Sequence, residues 1–126
     1  MAIWTLGINH KTAPVAVRER VSFDPATMPE VLSEVQSLDP VSEVVILSTC
    51  NRTEIYCSAE QLNEELIAGW LSQHHDIELT ELHSALYCLN DDKAVQHTMR
   101  VASGLDSLVL GEPQILGQMK SAFAVA

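Results

Sequence analysis

Apolar and polar positions change period several times along the 126 residues, and each change marks an element. Ile3 to Asn9 mixes β-branched, aromatic and Leu residues and runs into His10-Lys11-Thr12-Ala13-Pro14, which predicts a strand ending in a polar loop. Val15 to Val21 is short and helix-compatible. Asp24-Pro25 then places a capping carboxylate before a proline, and Met28, Val31, Leu32, Val35 and Leu38 form one apolar stripe, predicting a helix to about Leu38 that Asp39-Pro40 ends. Val44-Val45-Ile46-Leu47 is a continuous apolar run suited to a central strand. β character resumes from Thr53 to Ser58, so Cys50 sits at the first strand's exit.

Gln61 to about His75 carries Leu62, Leu66, Ile67, Trp70 and Leu71 at helical spacing. The order strand, helix, strand, strand, helix predicts an α+β fold, a ferredoxin-like βαββα-type sandwich followed by helices. In that second, mainly helical half, Thr80 is a candidate cap for a short helix. Asn90 or Asp91 would cap Ala94 to Ser103, with Gly104 as its stop. Gly111-Glu112-Pro113-Gln114 interrupts the pattern. Ile115 to Ala126 then begins an apolar helix with no stop signal, as expected of a chain cut inside an element.

Composition narrows the class. An apolar fraction of 47% with 19% charged residues suits one ordinary globular domain, large enough to fold without a disulfide or metal staple. The apolar runs are too short to cross a bilayer and no leader pattern begins the chain, so the expected location is the cytoplasm. Three cysteines, Cys50, Cys57 and Cys88, are an odd number without metal-type spacing, which argues against a secreted disulfide framework. Seven basic against seventeen acidic residues give a net charge of −10, the wrong sign for sequence-independent binding to a phosphate backbone. Any nucleic-acid contact must therefore be local.

Candidate chemistry centres on Ser48-Thr49-Cys50-Asn51-Arg52, where an apolar strand opens into polar residues. Arg52 would favour the thiolate, the reactive form of Cys50, and turn N–H groups would help hold negative charge. The alternative is a small buried apolar residue, the reading preferred for Cys57 and Cys88. Five histidines share no ligand spacing with a Cys pair, so a metal site is not expected. His97 suits a core or surface position as well as an acid/base or ligand contact. Neither G-x-G-x-x-G nor a P-loop pattern is present, so no cofactor cradle is implied. Glu112, beside Gln114 and Gln118, has the chemistry to receive an ammonium group, or is only a polar loop residue before Pro113.

Three stretches together resemble glutamyl-tRNA reductase, the enzyme family that opens the five-carbon route to tetrapyrroles. They are Gly7-Ile8-Asn9-His10-Lys11-Thr12-Ala13-Pro14 with Arg18-Glu19-Arg20, Ser48-Thr49-Cys50-Asn51-Arg52-Thr53-Glu54-Ile55-Tyr56, and Val101 through Ser103-Gly104-Leu105-Asp106-Ser107 to Gly111-Glu112-Pro113-Gln114-Ile115-Leu116-Gly117-Gln118. The resemblance implies that Cys50 attacks the ester carbonyl of glutamyl-tRNA to form a glutamyl thioester, which NADPH reduces to glutamate 1-semialdehyde. It implies a glutamate pocket of Thr49, Asn51, Arg52, Ser107, Glu112, Pro113, Gln114 and Gln118, and matches His97 to a histidine implicated in activity. By the same resemblance residues 1–126 are the catalytic domain and the terminal helix starts a long connecting helix. The NADPH-binding and helical dimerisation domains are absent, the full-length protein is a homodimer, and the downstream glutamate 1-semialdehyde aminomutase is a partner. The competing reading is a ligand- or regulator-binding module with a structural cysteine.

Overall fold

The structure, a computed structural model, describes residues 2–107, 111 and 114–126. Its elements run β1 (Ala2–Asn9), α1 (Val15–Arg20), α2 (Met28–Gln36), β2 (Glu43–Ser48), β3 (Arg52–Ala59), α3 (Glu64–His75), α4 (Leu79–Ala85), β4 (Tyr87–Asn90), α5 (Asp91–Ala102) and α6 (Gln114–Val125). The four strands form one antiparallel sheet in the order β2-β3-β1-β4. This is the ferredoxin-like arrangement, completed by a strand that the apolar pattern does not reveal.

The helix ends follow local chemistry. Asp24 accepts the Ala26 N–H at 2.9 Å and opens a 3-10 turn, Pro25–Thr27, before α2 begins. α3 starts three residues later than Gln61, because Asn63 Oδ1 accepts the Glu65 N–H at 3.0 Å. Thr80 lies inside the first turn of α4, whose cap position is Glu78. Gly104, at φ 75°, closes α5: its N–H bonds the Val101 carbonyl and the Leu105 N–H bonds that of Arg100, both at 3.0 Å.

The unforeseen strand is Tyr87-Cys88-Leu89-Asn90, which pairs with β1 from Gly7↔Tyr87 to Trp4↔Asn90. It adds one short strand to a second half that is otherwise helical, as expected. Four residues are too few to display a period, and no turn residue separates them from α5; the chain bends directly at Asp91, φ 50°.

Both faces of the sheet are covered. Leu6, Ile8, Val44, Ile46, Ile55 and Cys57 face the main core, with Val17, Val31, Val35, Ile67, Leu71 and Leu82 from α1 to α4. A smaller core on the other face joins Leu47 and Tyr56 to Val101 of α5 and Ile115 and Met119 of α6. Alternation along β3 sends Arg52, Glu54 and Tyr56 towards this second face. Strong polar groups are thus placed under two helices.

Candidate active site

β2 and β3 are joined by Thr49-Cys50-Asn51, braced by Thr49. Its Oγ1 accepts the N–H groups of Asn51 and Arg52, each at 3.2 Å, while its own N–H donates to the Arg52 carbonyl at 2.7 Å. Cys50 projects from this braced hairpin into solvent. Cys57 is buried in the main core and burial pushes its thiol up to about 11. Cys88 is half-buried; burial and the neighbouring Glu64 carboxylate push it up to about 12. Alkylation by iodoacetamide at pH 7.5 is therefore expected to label Cys50 at least about tenfold faster than the other two, as peptide mapping by mass spectrometry would read out. Equal rates in native protein would contradict this.

Beside the hairpin lies a buried polar chain. Arg52, 2% exposed, donates through Nη1 to Glu54 Oε1 at 3.3 Å and through Nη2 to the Asp106 carbonyl at 2.6 Å and its Oδ2 at 3.0 Å. Glu54 is fully enclosed; Tyr56 donates to its Oε1 at 2.6 Å, and Tyr87 and His97 Nε2 donate to Oε2. Asp106 also accepts Lys11 Nζ at 2.7 Å. Lys11 is placed by Asn9, whose Oδ1 accepts the N–H groups of Lys11 and Thr12 at 2.9 and 3.2 Å.

The electrostatics are those of paired ions. Burial alone would raise the Glu54 carboxyl, but the bond and charge of His97, then Arg52 and Tyr56, outweigh it and hold the group below its ordinary value. Burial likewise opposes ionisation of Asp106, and the bonds from Lys11 and Arg52 prevail. Tyr56 and Tyr87 are pushed up by burial and by the Glu54 charge, so both remain protonated donors.

Gly7 makes this arrangement possible. It stands opposite Glu54 in the β1–β3 register and opposite Tyr87 in the β1–β4 register, so Tyr87 reaches across a position with no side chain. A Cβ there would lie 2.5 Å from the Thr53 carbonyl oxygen and 2.9 Å from Glu54 Cγ. Gly7→Ala is expected to lower the urea midpoint by the equivalent of about 1–3 kcal/mol.

Of the residues singled out in sequence, Thr49, Cys50, Asn51 and Arg52 share one hairpin, and Arg52 ties it to the turn that holds Asp106 and Ser107. His97 reaches the same chain through Glu54 and packs edge-on to Tyr87 at 5.4 Å. Gln114 and Gln118 line a separate cleft of about 570 Å³ between α6 and β2, with Ser48, Phe23, Met28 and Leu47. Ser48, two residues before Cys50, is the element that this cleft shares with the hairpin. Glu112 and Pro113 lie outside the described residues. Sequence reasoning assigned no role to Lys11, Glu54, Tyr56, Tyr87 or Asp106. A signal was present for part of the set: Arg52, Glu54 and Tyr56 alternate with Thr53, Ile55 and Cys57, a charged face on a strand that has an apolar one.

Among the described residues no group of three His, Cys, Asp or Glu side chains is placed to hold a metal ion, and no helix is long and apolar enough to cross a membrane.

Fold and site together define an α+β domain that presents a single exposed thiol next to a buried chain of paired charges. The profile of the family described as Glutamyl-tRNAGlu reductase, N-terminal domain, matches residues 6–126, and the chain belongs to that family. It is 57% identical over its full length to a glutamyl-tRNA reductase of Marinomonas sp. (strain MWYL1), of which it covers 30%, and 57% identical to one of Pseudomonas fluorescens (strain Pf0-1), of which it covers 29%. Among solved structures it resembles glutamyl-tRNA reductase from Methanopyrus kandleri, with a TM-score of 0.74 and 31% identity over 98% of this chain and 28% of that one. The chain thus spans under a third of the length of these relatives.

Proposed function

We propose that the full-length protein reduces glutamyl-tRNA to glutamate 1-semialdehyde for tetrapyrrole synthesis in the cytoplasm, and that this domain supplies Cys50 as nucleophile. The observation that carries the reading is the exposure of Cys50 on a hairpin braced by Thr49, while Cys57 is buried and Cys88 half-buried. Sγ attacks the ester carbonyl carbon of the glutamyl group; the C–S bond forms, the C–O bond to the terminal ribose breaks, and the thiol proton ends on the released ribose hydroxyl. A thiol suits this step because it is the better nucleophile near neutral pH, and the resulting thioester is a better hydride acceptor than an amide or carboxylate.

NADPH, bound elsewhere in the full-length protein, supplies the hydride. This domain's own residues hold the site: Arg52 locks the hairpin to the Asp106 turn, and Glu54 fixes the ring of His97, 15% exposed. On the same reading Thr49, Asn51, Arg52 and Ser107 contact the glutamyl group from the Cys50 hairpin and the Asp106 turn, and Gln114 and Gln118 contact it from α6. The homodimer and the aminomutase partnership belong to the same reading.

The test is incubation of full-length protein, without NADPH, with tRNA charged with radiolabelled glutamate. Protein-bound label that hydroxylamine releases, and that Cys50→Ser lacks, is the expected result. Equal label on the serine variant would remove Cys50 from this role.

A further inference from the structure

A chain with net charge −10 has to meet an RNA end somewhere, and its basic residues are not evenly spread. Of the seven Lys and Arg residues, Lys11, Arg18 and Arg52 all act on His10, at the end of β1. Burial first, then the Arg52, Lys11 and Arg18 charges, keep the His10 ring below its ordinary basicity, against the pull of Asp106. Asn9 pairs with Arg52 in the β1–β3 register, so the His10-Lys11 loop and the Cys50 hairpin leave the sheet side by side.

Two polar atoms of this corner have no use in the fold. His10 Nδ1 and Arg18 Nε are both closed off from solvent and lack a hydrogen-bond partner, although Arg18 Nη1 donates to the Ala13 carbonyl at 3.2 Å. Native proteins pair nearly all such groups, and of the unpaired ones among the described residues, Trp4 Nε1, Thr5 Oγ1, His10 Nδ1, Arg18 Nε and His75 Nε2, these two belong to basic side chains of the segment that follows β1. Lys11 Nζ, on a side chain 59% exposed, donates to Asp106 and has three N–H donors to give. Asp106 and Glu54 neutralise Arg52, and exposed Lys11 and half-buried Arg18 are the other two cations at this corner.

We propose that His10, Lys11 and Arg18 form a phosphate site that takes the phosphodiester on the 5′ side of the aminoacylated terminal nucleotide, placing the ester over Cys50. This rests on the glutamyl-tRNA reading above and adds a second anchor to it. The site accounts for RNA binding by an acidic domain: one or two phosphates are gripped locally while the remaining surface repels the rest of the backbone. A phosphate of NADPH has the same chemistry, and the experiment separates the two sources.

Full-length protein is given 2′(3′)-O-glutamyl-adenosine or its 5′-monophosphate, and the rate of Cys50 acylation is measured without NADPH. The wild type is expected to prefer the phosphorylated ester by about ten- to a hundredfold, the worth of a hydrogen bond to a charged group. In Lys11→Gln, and further in the Lys11→Gln, Arg18→Gln pair, that preference falls towards one and Lys11→Arg restores it. The ratio of the two rates in each variant, not either rate alone, reads the phosphate contact, and circular dichroism with a urea titration reports the fold. The dependence of log KM for glutamyl-tRNA on log salt becomes shallower by about 0.7 per lost contact, and the KM for NADPH does not move. No preference in the wild type, a preference that survives both variants, or a shift confined to NADPH would each overturn the site. If neither ester acylates Cys50, the nucleophile reading fails instead. Titration with the 5′-phosphorylated trinucleotide CCA then decides the phosphate site alone, which stands if Lys11→Gln weakens binding and falls if it does not.

Discussion

Replacing Cys50 by serine in the full-length protein is expected to reduce glutamyl-tRNA-dependent NADPH oxidation by about a thousandfold or more while leaving the fold unchanged. The serine hydroxyl is far less ionised near neutral pH than a thiol, and an oxygen ester is a poorer hydride acceptor than a thioester, so both half-reactions suffer. The fold is spared because Cys50 is exposed and the hairpin is held by Thr49 Oγ1, not by the thiol. The unfolding free energy should move by less than about 0.5 kcal/mol. Steady-state kinetics beside urea titration make the check; activity kept within about tenfold, with an intact protein, would show that another group attacks the ester.

Removing Glu54 should have the opposite signature, a large effect on stability. Glu54→Leu strands Arg52 Nη1, the hydroxyls of Tyr56 and Tyr87 and the His97 ring, all of which donate to this one carboxylate. Breaking a buried pair from one side costs about 3–5 kcal/mol, because the remaining charge stays desolvated. That is a large part of the about 5–15 kcal/mol that holds a domain together. Glu54→Gln keeps an acceptor oxygen and should cost less. The pH dependence has a definite sign. The folded-state values of Glu54 and Asp106 lie below their ordinary values of 4.5 and 3.8, so their stabilisation is complete above those values and is lost as pH falls through the lower folded ones. Denaturant titrations at pH 7 and pH 4 should therefore show a smaller acid loss for Glu54→Gln than for wild type. A Glu54→Leu protein as stable as wild type at pH 7 would mean that the paired charges contribute nothing net.

Much of this molecule could be read directly from the chain. The apolar stripe Met28, Val31, Leu32, Val35 and Leu38 and the run Val44 to Leu47 demanded a helix and a buried strand, and both formed close to those bounds, because periodicity is a local consequence of which face must leave water. Gly104 ended α5 for an equally local reason, a backbone conformation that glycine adopts freely. The motif around Cys50 also marked where a thiol meets polar residues, and its exposure on the hairpin is a property of the turn itself.

What tertiary structure alone decided is the company those residues keep. β4 exists because β1 has an unpaired edge that four residues can satisfy, a non-local gain that their own pattern does not announce. Arg52, Glu54, Tyr87, His97, Asp106 and Lys11 span 95 positions of sequence, and no spacing rule connects them. They meet because the sheet order sets Gly7 between Glu54 and Tyr87 and because α5 and α6 seal that face from water. A buried charge must find its counter-charge wherever the fold brings one, so the pairing is written in topology and not in sequence distance.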